Sequence, residues 1–288
     1  MATVRICQAA ERDAILAIVN SAAEAYRGVI PDDRWHEPYM PGNELDAEIA
    51  AGVEFWGYVD GGRLLGVMGV QPVEDVHLIR HAYVLPDFQG LGIAGELLEH
   101  LLAERDGPIL VGTWAAAEWA IRFYERHGFE LVPPQVKSEL LETYWTIPER
   151  QIETSVVLAR PSFFEIALRS GYDAFNRGDF EAASRRFHPD VVVVPLGGQA
   201  PIEGIHKVRS WFEPDAFAEQ YSELLDFSVS GDRILARVRT RMQGASSGIE
   251  LDGGGWAVFT FDQAGLVRRM EIFLEHEETE ARKAAGLG

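Results

Sequence analysis

A strand, a proline stop, a glycine-rich turn and an amphipathic helix follow one another over residues 76–103. This succession limits what the chain can fold into more than any other feature. Residues 76–85 are largely apolar and Pro86 ends the run. After Gln89-Gly90-Leu91-Gly92-Ile93-Ala94, the residues Ile93, Leu97, Leu98, Leu101 and Leu102 recur on one helical face. A turn of this kind aims several backbone N–H groups outward at the positive end of the helix dipole, an arrangement suited to a pyrophosphate. Its glycines admit left-handed dihedrals and a close approach of the backbone to a ligand. The stretch also spells G-x-G-x-x-G through Gly90, Gly92 and Gly95, the pattern of a dinucleotide site. That reading fails on three counts. Five residues, Leu85 to Gln89, separate the strand from the first glycine; the preceding strands read as an antiparallel meander; and the next strand ends in Thr113-Trp114 instead of an acid.

The rest of the chain frames this unit. A strand over 3–8 is followed by a helix over 9–28 with Ile15, Leu16, Val19, Ala22, Ala23 and Tyr26 at helical spacing. An irregular stretch over 29–41 precedes a short helix over 44–51 and a strand over 53–59. Asp60-Gly61-Gly62 turns this strand into the next, over 63–73. Downstream of the glycine turn the pattern gives a strand over 109–113, a helix over 118–127 ended by Gly128, a strand over 129–132, a helix over 136–145 and a strand over 154–159. Arg160-Pro161-Ser162 marks a boundary, because Ser162 can cap a new helix over 163–177. Beyond it come a second helix, a strand over 191–196, a helix over 207–217 and long strands to Glu275. Arg233 to Arg241 alternates, with Ile234, Ala236, Val238, Thr240 and Met242 on one face and Arg233, Arg237, Arg239 and Arg241 on the other. This predicts a half-buried antiparallel sheet covered by helices on one side. A length of 288 residues accommodates two such cores.

Two separated segments carry a family resemblance. The run Ala82-Tyr83-Val84-Leu85-Pro86-Asp87-Phe88-Gln89-Gly90-Leu91-Gly92-Ile93-Ala94 resembles the strand, pyrophosphate loop (Q/R-x-x-G-x-G/A) and helix of the GNAT N-acetyltransferase family. About 35 residues after Gln89, Ala120-Ile121-Arg122-Phe123-Tyr124-Glu125-Arg126-His127-Gly128-Phe129 resembles its A-x-x-F-Y-x-x-x-G-F segment. The resemblance covers residues 3–159. It implies an α+β fold whose first domain, 1–160, is a GNAT mixed α/β sheet using acetyl-CoA as co-substrate. Tyr83, Val84, Gln89, Gly90, Leu91, Gly92, Ile93 and Ala94 would then bind the cofactor.

By the same resemblance, main-chain N–H groups near Val84 polarise the thioester carbonyl. Tyr124 is the general acid: a phenol with a pKa near 10 stays protonated at neutral pH and can pass its proton to the departing sulfur. For the base, His81 and His77 alternate along the strand that leads to the site, with Glu54 a further candidate; an imidazole titrating near pH 6.5 can relay a proton. The catalytic pair expected is Tyr124 with His81. Tyr26 to Tyr39 lies where the family places its acceptor-binding segment. The chain departs from the family at Ala117, where many members carry Asn; this leaves open a protein that holds coenzyme A as a scaffold without turnover.

Residues 161–288 resemble NTF2/SnoaL-like domains, in which a cone-shaped α+β fold encloses an apolar cavity. The resemblance runs through Gly171-Tyr172-Asp173-Ala174-Phe175-Asn176-Arg177-Gly178-Asp179-Phe180, Phe187-His188-Pro189-Asp190-Val191, Ile202-Glu203-Gly204 and Gly265-Leu266-Val267-Arg268. This fold hosts isomerases, cyclases and dimerisation modules, so an isomerase or cyclase activity in that cavity is a second alternative. On the last strand Glu271 and Glu275 share a face but stand roughly 13 Å apart at about 3.3 Å per residue, too far to act as a carboxylate pair.

Composition narrows the partners. A net charge of −19 argues against nucleic acid and favours a small-molecule amine as substrate. No apolar run reaches the roughly 18 residues of a membrane helix, so no membrane partner and a cytoplasmic location are expected, with a homodimer as a further expectation. The single cysteine, Cys7, reads as core filling, and no Cys/His spacing points to a metal.

Overall fold

The computed structural model describes residues 2–213 and 217–288. The chain divides into two compact units, one running from the N-terminus to Val132 together with Lys137–Ser162, the other comprising Pro133–Val136 and Phe163–Gly288. Together they form a two-domain α+β fold. Among the described residues no helix is long and apolar enough to cross a membrane.

In the first unit the elements are β1 (Thr3–Ile6), α1 (Arg12–Ala23), α2 (Gly42–Ala50), β2 (Glu54–Asp60), β3 (Arg63–Val73), β4 (Val76–Val84), α3 (Ile93–Ala103), β5 (Ile109–Trp114), α4 (Glu118–Arg126) and β6 (Glu130–Leu131). Helix α5 (Pro134–Tyr144), α6 (Glu149–Thr154) and β7 (Ser155–Arg160) follow. They build a seven-stranded sheet in the order β1-β2-β3-β4-β5-β7-β6. Strands β1 to β4 run antiparallel, β5 joins β4 in parallel, and β7 pairs antiparallel with β5 and β6. The hairpin between β2 and β3 turns on Gly61 and Gly62, both at positive φ, as a two-residue turn requires.

Helix α3 places Leu97, Leu98 and Leu101, each fully buried, against Met68, Ile79 and Val111 of the sheet. Removing each of these side chains from water stabilises the unit by about 1.5–3 kcal/mol. The opposite face packs α1 through Ile15, Ile18 and Val19, with Cys7 partly buried in the same cluster. Burial pushes the Cys7 thiol up to about 12, which suits a packing role.

The second unit holds α7 (Phe163–Asn176), α8 (Phe180–Ala183), β8 (Phe187–Val194), β9 (Ile202–Glu203), α9 (Ile205–Phe212), β10 (Phe217–Ser230), β11 (Arg233–Gly244), β12 (Glu250–Phe261), β13 (Val267–Leu274) and α10 (Glu278–Ala284). Its six strands are ordered β10-β11-β12-β13-β8-β9. The expected antiparallel sheet is corrected at one pairing, because β13 and β8 run parallel. The expectation of helices on one side is also corrected. Leu168 of α7 and Val208 of α9 cover the face bearing Ile234, Ala236 and Phe259, while Ala281 of α10 and the adjoining Ala285 cover Leu235, Trp256 and Val258 on the other. Leu235 lies on the arginine face, and this apolar position is what α10 seals. The helix expected over 207–217 is observed as Ile205–Phe212; residues 214–216 lie outside the described residues, and Phe217 opens β10.

Candidate functional site

The parallel ladder between β4 and β5 is short. It pairs His77 with Ile109, Leu78 with Leu110 and Ile79 with Val111, and among the described residues it goes no further, although β4 continues to Val84 and β5 to Trp114. Beyond Ile79 the strands splay, β5 continuing along β7 and β4 along β3. A bulge lies at the point of divergence: Arg80 opposes Gly69 and Tyr83 opposes Val67, so His81 and Ala82 together face Met68. His81 there adopts φ +50°, a left-handed conformation uncommon for residues other than glycine.

The splay opens a cavity of about 760 Å³ within the first unit, inside the usual range of small-molecule sites. At one end lies the glycine turn. Gly90 and Gly92 have φ of +77° and +86°, and a Cβ added at either would meet nothing within 4 Å, so the backbone there is bare. Gly92 is also the N-cap of α3, whose first N–H groups have no carbonyl one turn back to bind. Arg126 and His127, at the end of α4, line the same cavity. The His127 ring is held by a 2.8 Å contact of Nδ1 with the Phe123 carbonyl, and its Nε2 would lie 3.2 Å from a Cβ at Gly95.

Tyr83, Val84, Gln89, Gly90, Gly92, Ile93 and Ala94 all line the cavity. The Gln89 amide is spent within the chain, donating to the Val84 carbonyl at 3.1 Å and tying the loop to the end of β4. The Leu91 side chain is 66% exposed and does not line the cavity. Tyr83 and Val84 face opposite sides of the sheet, Val84 toward α3 and Tyr83 toward the α1 cluster.

Tyr83 enters an aromatic group supplied by Tyr26, the 29–41 stretch and α4. Its ring meets Tyr26 and Tyr39, each at 6.2 Å, and Tyr26 meets Trp119 of α4 at 5.2 Å. Trp35 packs on Tyr39 at 5.6 Å, with the Arg27 guanidinium 4.7 Å above its ring. Tyr124, buried on α4, lines the cavity between Phe123 and Phe129. Burial is the leading cause that raises all four phenols: Tyr26 to about 12, Tyr39 upward, and Tyr83 and Tyr124 far above their ordinary value. Every one of them is a protonated donor near neutral pH and none is a base there.

His81 lines the cavity from the bulge. His77 and Glu54 do not: His77 sits where β4 still pairs with β5, and Glu54 binds Arg105 at 3.1 Å and the Trp56 indole at 2.7 Å. Beside His81 stands Glu48 of α2, a carboxylate that sequence reasoning missed. Burial works to raise its pKa, but the His81 imidazole and the charge of Arg80 outweigh burial and lower it. Trp119 was missed as well, and its spacing within the A-x-x-F-Y helix was the available signal.

The second unit encloses a cavity of about 530 Å³ lined by Leu168, Phe175, Val238, Phe259, Met270 and Ile272, among others. Its polar lining includes Arg186, Gln220, Tyr172, Ser222 and Thr240, the hydroxyls of the last two 3.0 Å apart. Asp252 also lines it but is bound by Arg239 at 2.7 Å. Glu271 and Glu275 do not line it; they pair with Arg269 and Arg237.

The sequence profile of the acetyltransferase (GNAT) domain matches residues 51–131, and that of the SnoaL-like domain matches residues 168–270. A search of curated proteins finds no match. Solved structures with similarity include the PaiA N-acetyltransferase of Thermoplasma acidophilum in complex with coenzyme A, with 13% identity, covering 55% of this chain and 98% of its own, at a TM-score of 0.43. A GNAT-family acetyltransferase of Staphylococcus aureus has 14% identity, 56% and 98% coverage and a TM-score of 0.43. An NTF2-like protein of unknown function from Burkholderia pseudomallei has 22% identity, 40% and 93% coverage and a TM-score of 0.36. The first cavity fits the cofactor of the first family: bare glycine backbone at a helix N-terminus meets a pyrophosphate, and the gap between β4 and β5 admits an extended arm. The chain joins an acetyltransferase domain of the GNAT family, an acyltransferase with acetyl-CoA as its co-substrate, to a SnoaL-like domain.

Proposed function

We propose that the chain transfers an acetyl group directly to a small amine, with Tyr124 as general acid and His81 as the proton acceptor, in a domain spanning residues 1–160. Bound acetyl-CoA supplies the activated acyl thioester. Gly90, Gly92, Ile93 and Ala94 hold its pyrophosphate by main-chain N–H groups, and the open edge of β4 near Val84 offers N–H donors where negative charge develops. One observation carries the reading: a phenol kept protonated by burial, Tyr124, stands in the wall of the splayed cleft that Tyr26, Tyr39, Tyr83 and Trp119 also line. A proton held on Tyr124 meets the leaving sulfur, and the proton lost by the attacking nitrogen passes to His81. Tyr26, Tyr39, Tyr83 and Trp119 form walls suited to an amine with an apolar body, since ring faces attract its cationic form on entry.

Calorimetric titration with acetyl-CoA, followed by thiol release against phenethylamine, tryptamine, spermidine and glycinamide, tests this for wild type and Tyr124→Phe. Micromolar binding with turnover that collapses in the variant is expected. Binding without turnover favours the scaffold, and absence of binding sinks the reading.

A second reading concerns residues 161–288. The mostly apolar cavity of the second unit, with hydroxyls at Tyr172, Ser222 and Thr240 and, among the described residues, a single lining carboxylate, Asp252, already bound to Arg239, supports capture of a largely apolar molecule over isomerase or cyclase chemistry. Saturable uptake of Nile red, lost when the cavity is filled, tests it.

A further inference from the structure

Helix α2 brings Glu48 to the flank of the β4 bulge, where its two carboxylate oxygens meet different surroundings. Oε1 accepts from Arg80 Nη2 at 2.7 Å, and Arg80 is itself anchored through Nη1 to Gln71 Oε1 at 2.8 Å. Oε2 is buried without a hydrogen-bond partner, and so is His81 Nε2, yet the two lie only 3.4 Å apart. Buried polar atoms are rarely left unpaired, because each forfeits its hydration for nothing. One proton on Nε2 satisfies both atoms at once: the imidazole donates and the carboxylate accepts.

That assignment has a consequence for the other ring nitrogen. A neutral imidazole protonated at Nε2 carries its lone pair on Nδ1, which is then the nitrogen left to act on the cavity that His81 lines. The ring plane is steadied by Phe55, stacked at 5.9 Å and 21°. The left-handed backbone of the bulge departs from the regular path of β4 at the residue that carries the ring.

We propose that Glu48, clamped by Arg80, is a positioning residue that holds His81 as its Nε2–H tautomer, so that Nδ1 accepts the proton of the attacking amine. The inference rests on the reading of His81 as base. When Nδ1 takes that proton the ring becomes an imidazolium whose Nε2–H still faces the ionised Glu48; the proton later leaves to solvent and the carboxylate is never protonated.

Nitrogen-15 NMR of the histidine-labelled full chain reads the tautomer directly. His81 is expected with its proton on Nε2 in wild type and as a tautomer mixture in Glu48→Ala; Glu48→Gln, whose amide oxygen still accepts, keeps the Nε2–H form. Kinetics with acetyl-CoA and the fastest amine of the panel should show kcat lowered about ten- to hundredfold in Glu48→Ala, partly rescued in Glu48→Gln, with KM for acetyl-CoA within twofold throughout. A wild-type His81 protonated on Nδ1 overturns the proposal without recourse to any variant. A Glu48→Ala protein with wild-type kcat overturns it too, provided His81→Ala is impaired. A His81→Ala protein that keeps its rate overturns the base reading itself, so the two failures are told apart.

Discussion

The two cavities of this chain differ in what they are made of more than in size. The first forms because a sheet fails to close: β4 and β5 part company beyond Ile79 and Val111, and the gap exposes backbone, a helix N-terminus and a bulge. The second forms inside a sheet whose strands stay paired, with long side chains of β11 to β13 lining the space beneath α7. Main-chain donors and titratable groups that face the open space therefore meet in the first, whereas the second is mostly apolar carbon with a few hydroxyls, Gln220, Arg186 and an Asp252 already bound to Arg239. A site that must stabilise developing charge needs fixed dipoles, and a site that only holds an apolar molecule needs shape.

Four experiments press on this contrast. Tyr124→Phe removes one hydroxyl from the first cavity. Its kcat for acetyl transfer should fall about a hundredfold or more, the scale of a general acid, while calorimetry gives an acetyl-CoA affinity within threefold of wild type. Unaltered turnover would leave the first cavity no more chemically specialised than the second.

Gly92→Ala tests whether the bare backbone matters. A left-handed residue bearing a Cβ costs about 1–2 kcal/mol, and the added methyl would stand in the cradle, so acetyl-CoA should bind about tenfold more weakly by calorimetry. Equal affinity would move the pyrophosphate site elsewhere.

Ile272→Trp fills the second cavity instead. Nile red binding, followed by its emission, should weaken about fivefold with acetyl transfer unchanged; a loss of transfer would mean that the two cavities are not functionally distinct.

The smallest effect concerns Glu11, whose carboxyl the hydrogen bonds of Arg5 at 2.7 and 2.8 Å hold at about 2, below its ordinary 4.5, against an opposing effect of burial. A depressed carboxyl contributes stability that is fully present above its unfolded value of 4.5 and is lost as pH falls through about 2. Glu11→Gln should therefore lower Tm by about 4 °C or less at pH 7, since a partly exposed pair is worth about 1 kcal/mol at most. The difference should vanish near pH 2, and a constant difference across that range would assign the loss to packing.

Much of the first cavity was legible because its parts are consecutive. Strand, stop, glycine turn and helix occupy one stretch, and each signal is local: Pro86, the left-handed needs of Gly90 and Gly92, and the 3.6-residue recurrence from Ile93 to Leu101. The second unit was read less well. Alternation along Arg233 to Arg241 predicted the sheet faces, but the parallel pairing of β8 with β13 and the helix α10 on the far face depend on residues up to eighty positions apart. Period two shows which side chains share a face and says nothing of what covers it. The same gap hid Glu48. It stands on a short helix 33 residues before His81 with no motif around it, and only the bulge turns the imidazole toward it.

By itself, the sequence determined local conformation and chemical inventory: where helices and strands begin and end, where glycine must carry the backbone into left-handed space, and which phenols and imidazoles exist. Tertiary structure alone decided which of these face one another. Strand splay, the opposing phenols of Tyr26, Tyr39, Tyr83 and Tyr124, and the encounter of Glu48 with His81 arise from packing of distant segments. Local propensities cannot encode such encounters, because the free energy that favours them comes from burial shared among elements far apart in the chain.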